Sequence, residues 1–300
     1  MDVVGFGALN VDRIYYVDTI PGKDEESFVK RIEVHAGGSA ANTITAIARL
    51  GLKSGIIGKI GKDSDGDFIL SELLKEGVNV SGVIRSEGKS GNALILVDES
   101  GNRAIIVDPG VNDEIRPEEI NLAYVSEFKM IHLTSFVSRK SQESFKIQKR
   151  IVKELEIKIS FDPGMIYSKK GFNEIREILK RTEIFMPNAA ELRLLTEKDY
   201  RDGASEAIDA GVKVVVVKLG ERGCYITDGD REVEVPAFPV KPADTTGAGD
   251  AFNAGFIYGY LKGMELEKCG RLGNFVAAHC IQYSGARKGL PGIKEIGEEI

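Results

Sequence analysis

The 300-residue sequence predicts an α/β fold, a three-layer sandwich in which helices cover both faces of a mostly parallel central sheet. Short apolar runs rich in β-branched residues alternate with amphipathic segments along most of the chain, which is typical of parallel sheets buried on both faces. Two segments, at about 13–34 and 92–107, break this alternation and predict a small antiparallel sheet inserted in one domain, 1–300.

Continuous apolar runs predict the buried strands, and the last of these runs contains four consecutive valines. The predicted strands are Val3–Phe6, Gly55–Ile60, Met130–Leu133, Ile157–Phe161, Ile184–Met186 and Val212–Leu219. Amphipathic periodicity predicts helices at Ala40–Leu50, Phe68–Glu76, Gln142–Leu155 and Phe172–Arg181, with a charged helix at Ile293–Ile300.

The two segments outside the alternation resemble paired strands joined by turns. The first carries a Pro-Gly turn at 21–22, and the second has alternating runs on either side of 98–102. We expect the resulting sheet to act as a lid that covers a substrate and excludes water. Because so small a sheet cannot bury both of its apolar faces, a homodimer formed through the lid is a further hypothesis.

The composition limits the function classes. Hydrophobic residues make up 42% and charged residues 29%, and the net charge of -6 gives no electrostatic reason to expect nucleic acid as a partner. The three cysteines have no metal-ligand spacing, which favours reduced core thiols in a cytoplasmic protein. No apolar stretch approaches the length of a membrane span, so no membrane association is predicted.

The most informative stretch is Asp-Thr-Thr-Gly-Ala-Gly-Asp-Ala-Phe at 244–252, which leads from a turn into a helix beginning near Ala248. Gly247 and Gly249 let several backbone N–H groups converge at a helix N-terminus, where an anion is favoured. The N–H groups of 247–249 suit the charge of a phosphate. Asp250 suits a general base that accepts the proton of an attacking hydroxyl.

A purely structural interpretation of this stretch is also open, with Asp244 capping the helix and Asp250 contacting its dipole. A second cluster, His-Ala-Gly-Gly-Ser-Ala-Ala-Asn-Thr at 35–43, also precedes a helix and offers Gly37, Gly38 and Asn42 to a polyol. Its alternative is a plain strand-to-helix turn.

Asn10 and Asp12 follow the first strand, at the end where open α/β sheets bind ligands. They could form hydrogen bonds with sugar hydroxyls, or they could simply be solvated turn residues. The preceding Gly-Phe-Gly is not a dinucleotide fingerprint, because the third glycine position is Asn10 and no helix follows.

These motifs, in this order, resemble the ribokinase-like family of carbohydrate kinases, also called the phosphofructokinase-B type. The resemblance covers nearly the whole chain. It implies an ATP-dependent kinase that uses Mg²⁺ and phosphorylates a hydroxyl of a sugar, nucleoside or related polyol. It leaves open whether ADP replaces ATP and whether a monovalent cation sits beside the anion site.

Residue by residue, the resemblance implies that Asp250 is the catalytic base and that 247–249 form the anion hole. It places the acceptor beside Asn10, Asp12, Gly37, Gly38 and Asn42. The resemblance implies magnesium bound through water at Glu191 and Asn188 of an Asn-x-x-Glu motif, although the same pair could be a helix capping box. The implied nucleotide-binding residues are Asn188, Lys218, Gly220, Gly223, Thr245, Gly247, Gly249, Asn274 and Ala286.

The chain also departs from ribokinases proper. Ser39 and Ala40 replace a lysine and a glycine, and the segment 133–136 lacks an acidic residue that ribokinases use near the sugar. Ribose is therefore not favoured over nucleosides, other sugars, inositol or a sugar phosphate. A kinase for phosphorylated sugars would need a basic residue near the acceptor, and a non-catalytic nucleotide or sugar sensor with the same fold is a further alternative.

Overall fold

The computed structural model describes residues 1–137 and 142–297. In chain order its strands are β1 (Val3–Phe6), β2 (Asn10–Val17), β3 (Val29–Gly37), β4 (Ser54–Gly61), β5 (Asn79–Ser86), β6 (Gly91–Val97), β7 (Arg103–Asp108), β8 (Met130–Leu133), β9 (Lys158–Phe161), β10 (Ile184–Phe185), β11 (Val214–Lys218), β12 (Cys224–Thr227) and β13 (Glu232–Val235). Its α-helices are α1 (Ser39–Arg49), α2 (Ser64–Lys75), α3 (Leu122–Ser126), α4 (Glu143–Glu154), α5 (Gly164–Ser168), α6 (Phe172–Leu179), α7 (Ala189–Thr196), α8 (Tyr200–Asp209), α9 (Ala248–Leu261), α10 (Leu266–Cys280) and α11 (Ile293–Ile296).

The central sheet has the strand order β13-β12-β11-β10-β9-β8-β1-β4-β5. Every pair from β11 to β5 is parallel, and only the pairings of β12 with β11 and with β13, at one edge, are antiparallel. Helices cover both faces of this sheet. The structure therefore confirms the predicted three-layer α/β sandwich.

The run of four valines in β11 shows how one strand supplies two cores. Val214 and Val216 join a core formed with α1, α2, α9 and α10. Val215 and Val217 point to the opposite face and join a core formed with α3 to α8. Because side chains alternate along a strand, a continuous apolar run is what a sheet covered on both faces requires.

The second sheet has four strands in the order β3-β2-β6-β7. Its two outer pairings are antiparallel, as expected, and the hairpin of β6 and β7 is the predicted one. Its central pair, β2 and β6, is parallel, so the sheet is mixed rather than wholly antiparallel. This small sheet exposes apolar side chains to solvent, including Phe28, Ile32 and Ile106.

The six predicted strands of the central sheet are present, with ends displaced by at most two residues. The sequence does not predict β5, β12 or β13. β5 and β13 are partly exposed edge strands without a continuous apolar run, and β12 is only four residues long. α2 begins at Ser64 rather than 68, with the Asp63 side chain accepting a hydrogen bond from the Gly66 amide at 2.8 Å. The predicted terminal helix extends from Ile293 to Ile296, and 298–300 lie outside the described residues.

The three cysteines are buried and unpaired, which agrees with the predicted core thiols. Among the helices of the described chain, none combines the length and the apolar character needed to cross a bilayer.

Candidate active site

The site lies along the edge of the central sheet where the parallel strands end. Asp162 follows β9, Asn188 follows β10, and Lys218 is the last residue of β11. The carboxyl ends of neighbouring parallel strands share one edge, and open α/β sheets bind ligands there. The first turns of α1 and α9 meet this edge.

The glycine turn before α9 has the geometry of an anion site. Gly247 has φ 78°, and a Cβ at this position would lie 2.5 Å from the Cβ of Ala286, so only glycine fits without a shift. The Ala248 N–H hydrogen-bonds to the Thr245 carbonyl oxygen at 3.2 Å. Within residues 1–137 and 142–297, the N–H groups of Gly247, Gly249 and Asp250 have no acceptor, which leaves them for an anion.

Asp250 connects the two glycine clusters that the sequence singled out. Its carboxylate accepts a hydrogen bond from Asn42 Nδ2 at 2.9 Å, and its carbonyl oxygen accepts one from Thr43 Oγ1 at 3.3 Å. Burial raises the pKa of Asp250 to about 7, and nearby Asp162 raises it further against the lowering effects of Asn42 and Lys218. A carboxyl with such a pKa can accept a proton near neutral pH.

A buried cation lies beside the glycine turn. Lys218 Nζ donates to Asp162 Oδ2 at 2.6 Å, and Asn253 Nδ2 donates to the same oxygen at 2.6 Å. Burial acts to lower the pKa of Lys218, but Asp162 and Glu191 outweigh it and the pKa is raised. A Cβ on Gly249 would lie 3.4 Å from the Lys218 ammonium, so this positive charge adjoins the free N–H groups.

Where the resemblance places the acceptor, the Asp12 carboxylate faces Gly37, whose missing side chain leaves room for it. No group in the described part of the chain hydrogen-bonds to this carboxylate. Burial raises the pKa of Asp12 to about 6, opposed by Arg287 and His35. An ionisable group that is desolvated and unpartnered in a cleft is a candidate for ligand binding.

The side chain of Asn10 is held by Asn112, a residue that belongs to no sequence motif. Its amide oxygen accepts a hydrogen bond from Asn112 Nδ2 at 2.8 Å, and Asn112 also pairs with the backbone N–H and carbonyl of Leu9. Asn10 thus keeps its amide nitrogen as a donor. At Gly38, φ is 101° and a Cβ would lie 2.1 Å from the Ala8 carbonyl oxygen, so the approach of β1 to α1 requires glycine there.

Glu191 and Asn188 form a complete capping box at the start of α7. The Asn188 N–H donates to Glu191 Oε2 at 2.9 Å, and the Glu191 N–H donates to Asn188 Oδ1 at 2.9 Å. Burial raises the pKa of Glu191, and nearby Asp162 raises it further. The structural interpretation of this pair is therefore realised, and it leaves a buried carboxylate near Asp162.

The carboxylates of Glu191 and Asp162 suit a magnesium ion bound through water better than one that they ligate directly. The described residues contain no cluster of three or more His, Cys, Asp and Glu side chains suited to a metal. Two desolvated acids share one lysine, so a second cation would be electrostatically favoured there. Mg²⁺ commonly keeps several waters and contacts one or two carboxylates.

The other residues implied for the nucleotide are spread more widely. Asn274 is buried and donates to the carbonyl oxygens of Val235 and Pro236, so it holds the end of β13. Gly223 packs against the same Val235 carbonyl, whereas Gly220 and Thr245 are exposed. The structure thus brings Lys218, Gly247, Gly249 and Ala286 together, whereas Asn274 contacts the backbone at the end of β13.

Several site residues carry no family motif in the sequence. Asp162 and Asn253 surround Lys218, and the guanidinium of Arg287 donates to Asn42 Oδ1 at 2.8 Å. Arg103 of β7 reaches the glycine turn, donating to Thr246 Oγ1 at 2.8 Å and to Asp244 Oδ1 at 2.5 Å. Asp162 could have been found, because an Asp-Pro-Gly directly follows a predicted strand.

The fold, with N–H groups that lack acceptors and a carboxylate of raised pKa at one helix start, is the arrangement expected of a kinase of the α/β sandwich type. The family model described as pfkB family carbohydrate kinase matches residues 1–292. The chain belongs to this family, which confirms the resemblance seen in the sequence, and it is a phosphotransferase.

The chain is similar to curated proteins and solved structures along most of its length. It is 53% identical over 245 residues to an uncharacterized sugar kinase of Archaeoglobus fulgidus, covering 82% of this chain and 98% of the relative. It is 32% identical to the ATP-dependent ribose-1-phosphate kinase of Halopiger xanaduensis, covering 95% and 93%. The crystal structure of a Thermotoga maritima ribokinase matches with a TM-score of 0.90 at 28% identity, covering 99% and 98%.

The contact between Lys218 and Asp162 can be tested by unfolding. We expect Lys218→Met to lower the free energy of unfolding by roughly 3–5 kcal/mol, because it leaves a buried carboxylate without its cation. Adding Asp162→Asn should recover part of this loss, so that the double variant costs less than the sum of the singles. Urea unfolding of the ligand-free protein measures all three.

Lys213→Met is the matched control, since this exposed lysine lies just before the same strand, and its effect should stay within about 0.5 kcal/mol. Strictly additive costs for Lys218 and Asp162 would show that the two charges do not support each other.

Proposed function

We propose that the chain transfers the γ-phosphoryl group of ATP to a hydroxyl of a sugar-like acceptor, with Asp250 as general base. The observation that carries the proposal is the meeting of three groups at the start of α9. These are the free N–H groups of Gly247 and Gly249, the Lys218 ammonium beside them, and the Asp250 carboxylate. Phosphoryl transfer needs such positioning and charge neutralisation more than covalent chemistry.

In this mechanism the acceptor hydroxyl approaches Asp250 while Asn42 holds the carboxylate in place. As the hydroxyl oxygen attacks the γ-phosphorus, its proton passes to Asp250 and the bond to the β–γ bridging oxygen breaks, leaving ADP. The N–H groups of 247–249 that lack acceptors stabilise the charge on the moving phosphoryl group. Lys218 adds a fixed positive charge beside them.

Magnesium would be held near Glu191 and Asp162 through water, and when bound it would neutralise charge on the nucleotide phosphates. The small sheet would close over the acceptor as a lid. Asp244 supports this role, because it binds Arg103 of the small sheet and the backbone N–H groups of Thr246 and Gly285. Burial opposes these contacts, but they hold the pKa of Asp244 at about 2, so the carboxylate stays ionised.

The proposal also concerns which class of acceptor is phosphorylated. The Halopiger relative named a ribose-1-phosphate kinase makes a phosphorylated sugar the second candidate acceptor beside a free sugar or nucleoside. A coupled ADP-release assay with D-ribose, ribose 1-phosphate, cytidine and inositol separates these classes. Nucleotide binding without turnover of any acceptor in a broad panel would instead favour the sensor alternative.

Replacing the proposed base is the direct test of the mechanism. Asp250→Asn should lower kcat by roughly 10²-fold or more, because the amide cannot accept the hydroxyl proton. Binding of Mg-ADP, measured by calorimetry, should change little. Asp209→Asn, an exposed carboxyl on α8, should behave as wild type, and near-normal turnover of Asp250→Asn would remove Asp250 from this role.

The pH dependence follows from the pKa of Asp250, which is raised to about 7. The base works only when it is deprotonated, so kcat/KM should fall as the pH drops below about 7. Asn42 donates to the ionised form and lowers this pKa, so Asn42→Leu should move the acid limb to higher pH. Asn173→Leu, at an exposed position of α6, should leave the limb in place, and an unmoved limb in Asn42→Leu would contradict the assignment.

We also propose that the small sheet pairs two copies of the chain. Phe28 is 77% exposed, Ile106 64% and Ile32 52%, which is unusual for large apolar side chains on a monomer. Sedimentation at micromolar concentration should show a dimer, and Ile32→Asp should convert it to monomer. Leu74→Asp, at an exposed leucine of α2, should keep the dimer, and a wild-type monomer would contradict the proposal.

A further inference from the structure

Arg287 is a buried cation that the mechanism above does not use. It lies in the loop between α10 and α11, and both terminal nitrogens of its guanidinium are buried without a hydrogen-bond partner in the described part of the chain. Burial lowers the pKa of Arg287 to about 10, so it stays protonated at neutral pH. A buried donor without a partner is costly, and two such nitrogens on one charged group are more so.

The position of Arg287 is fixed by a second arginine. Arg49, at the end of α1, donates to the carbonyl oxygens of Arg287 at 2.7 Å and Leu290 at 3.1 Å. Arg49 is itself held by two hydrogen bonds to Glu76, at 2.6 and 2.8 Å. The loop is therefore built onto α1 and α2, and the guanidinium is aimed rather than free to swing away.

The Arg287 side chain makes one hydrogen bond within the described residues, and it is directed at the site. Its Nε donates to Asn42 Oδ1, while Asn42 Nδ2 donates to the Asp250 carboxylate. The amide of Asn42 can satisfy both contacts in one orientation only. Arg287 thus determines which end of Asn42 faces the proposed base.

The remaining donors of Arg287 have a complementary group nearby. The negative charge of Asp12 raises the pKa of Arg287, although the two side chains form no direct ion pair. The charges of Asp250, Glu72 and Glu76 act in the same direction. Asp12 can only accept hydrogen bonds and Arg287 can only donate them. A hydroxyl group does both, so it can accept from Arg287 and donate to Asp12 at once. A phosphate would satisfy Arg287 but would be repelled by Asp12 and Asp250.

We propose that Arg287 is a specificity-determining residue of the acceptor site, binding the oxygen of an acceptor hydroxyl that donates its proton to Asp12. Through Nε it also positions Asn42 against Asp250. The proposal rests on the kinase function proposed above and adds the chemistry of this subsite, which takes a neutral hydroxyl adjacent to the reacting alcohol.

The test compares wild type, Arg287→Gln, Arg287→Lys and the control Lys288→Gln, an exposed neighbour. The acceptors are D-ribose with 2-deoxy-D-ribose, and cytidine with 2′-deoxycytidine and 3′-deoxycytidine. Wild type should prefer the fully hydroxylated member of at least one pair by about 10-fold or more, as sites that hydrogen-bond a hydroxyl reject its deoxy analogue. Arg287→Gln should lose about 10-fold in kcat/KM for that acceptor and bring the ratio near one. Lys288→Gln should match wild type.

Retention of both rate and discrimination in Arg287→Gln would overturn the proposal. If Arg287→Gln does not fold, as judged by its urea midpoint, the test uses Arg287→Lys instead. Lysine keeps the positive charge but lacks the planar set of N–H donors of the guanidinium. Loss of discrimination in the lysine variant supports the assignment, and unchanged discrimination refutes it.

If wild type phosphorylates none of these acceptors or the wider panel, the proposed function fails. Calorimetric binding of the same pairs to wild type and the Arg287 variants then still tests the subsite. Equal binding of hydroxy and deoxy forms by wild type would overturn it.

Discussion

The hydrogen bond from Asn42 to Asp250 joins two points that are 208 residues apart in the chain. It brings the first turn of α1 against the first turn of α9, so both glycine turns open onto one volume. The proposed acceptor side, with Asp12 and Gly37, then lies next to the proposed anion side, with Gly247 and Gly249. A reaction between an alcohol and a phosphate needs this adjacency. The rest of the sandwich can be understood as the frame that holds these two helix starts in register.

The two carboxylates of Asp162 and Asp250, at this end of the sheet, differ in protonation because their surroundings differ. Asp162 is ionised because Lys218 and Asn253 outweigh its burial, whereas no cation among the described residues contacts Asp250 directly and its pKa is raised to about 7. Two carboxylates close in space thus have different protonation behaviour. The one with the paired lysine is a fixed anion, and the other is suited to exchange a proton.

The sequence predicts those parts of this arrangement that have local signals. Continuous apolar runs predict the core strands, and the glycine turn together with Asp250 predicts the anion site. Properties that depend on distant pairing are not visible in the same way. The parallel pairing of β2 with β6 involves segments far apart in the chain, and the edge strand β13 and its neighbour β12 are only four residues long and lack a long apolar run. Arg287 carries no motif, because its role arises from contact with Asn42 across 245 residues. At Asn274 the sequence indicates a family position but not the hydrogen bond that its amide donates to the Val235 carbonyl oxygen.

The central claim is that the phosphoryl group and the acceptor alcohol meet at the start of α9. A crystal structure with Mg²⁺, a non-hydrolysable ATP analogue and the acceptor with the highest turnover tests it most directly. The account predicts the γ-phosphate on the N–H groups of Gly247 and Gly249, with an acceptor hydroxyl within hydrogen-bonding distance of Asp250. A nucleotide phosphate bound elsewhere, or an acceptor that leaves Asp250 out of reach, would contradict it.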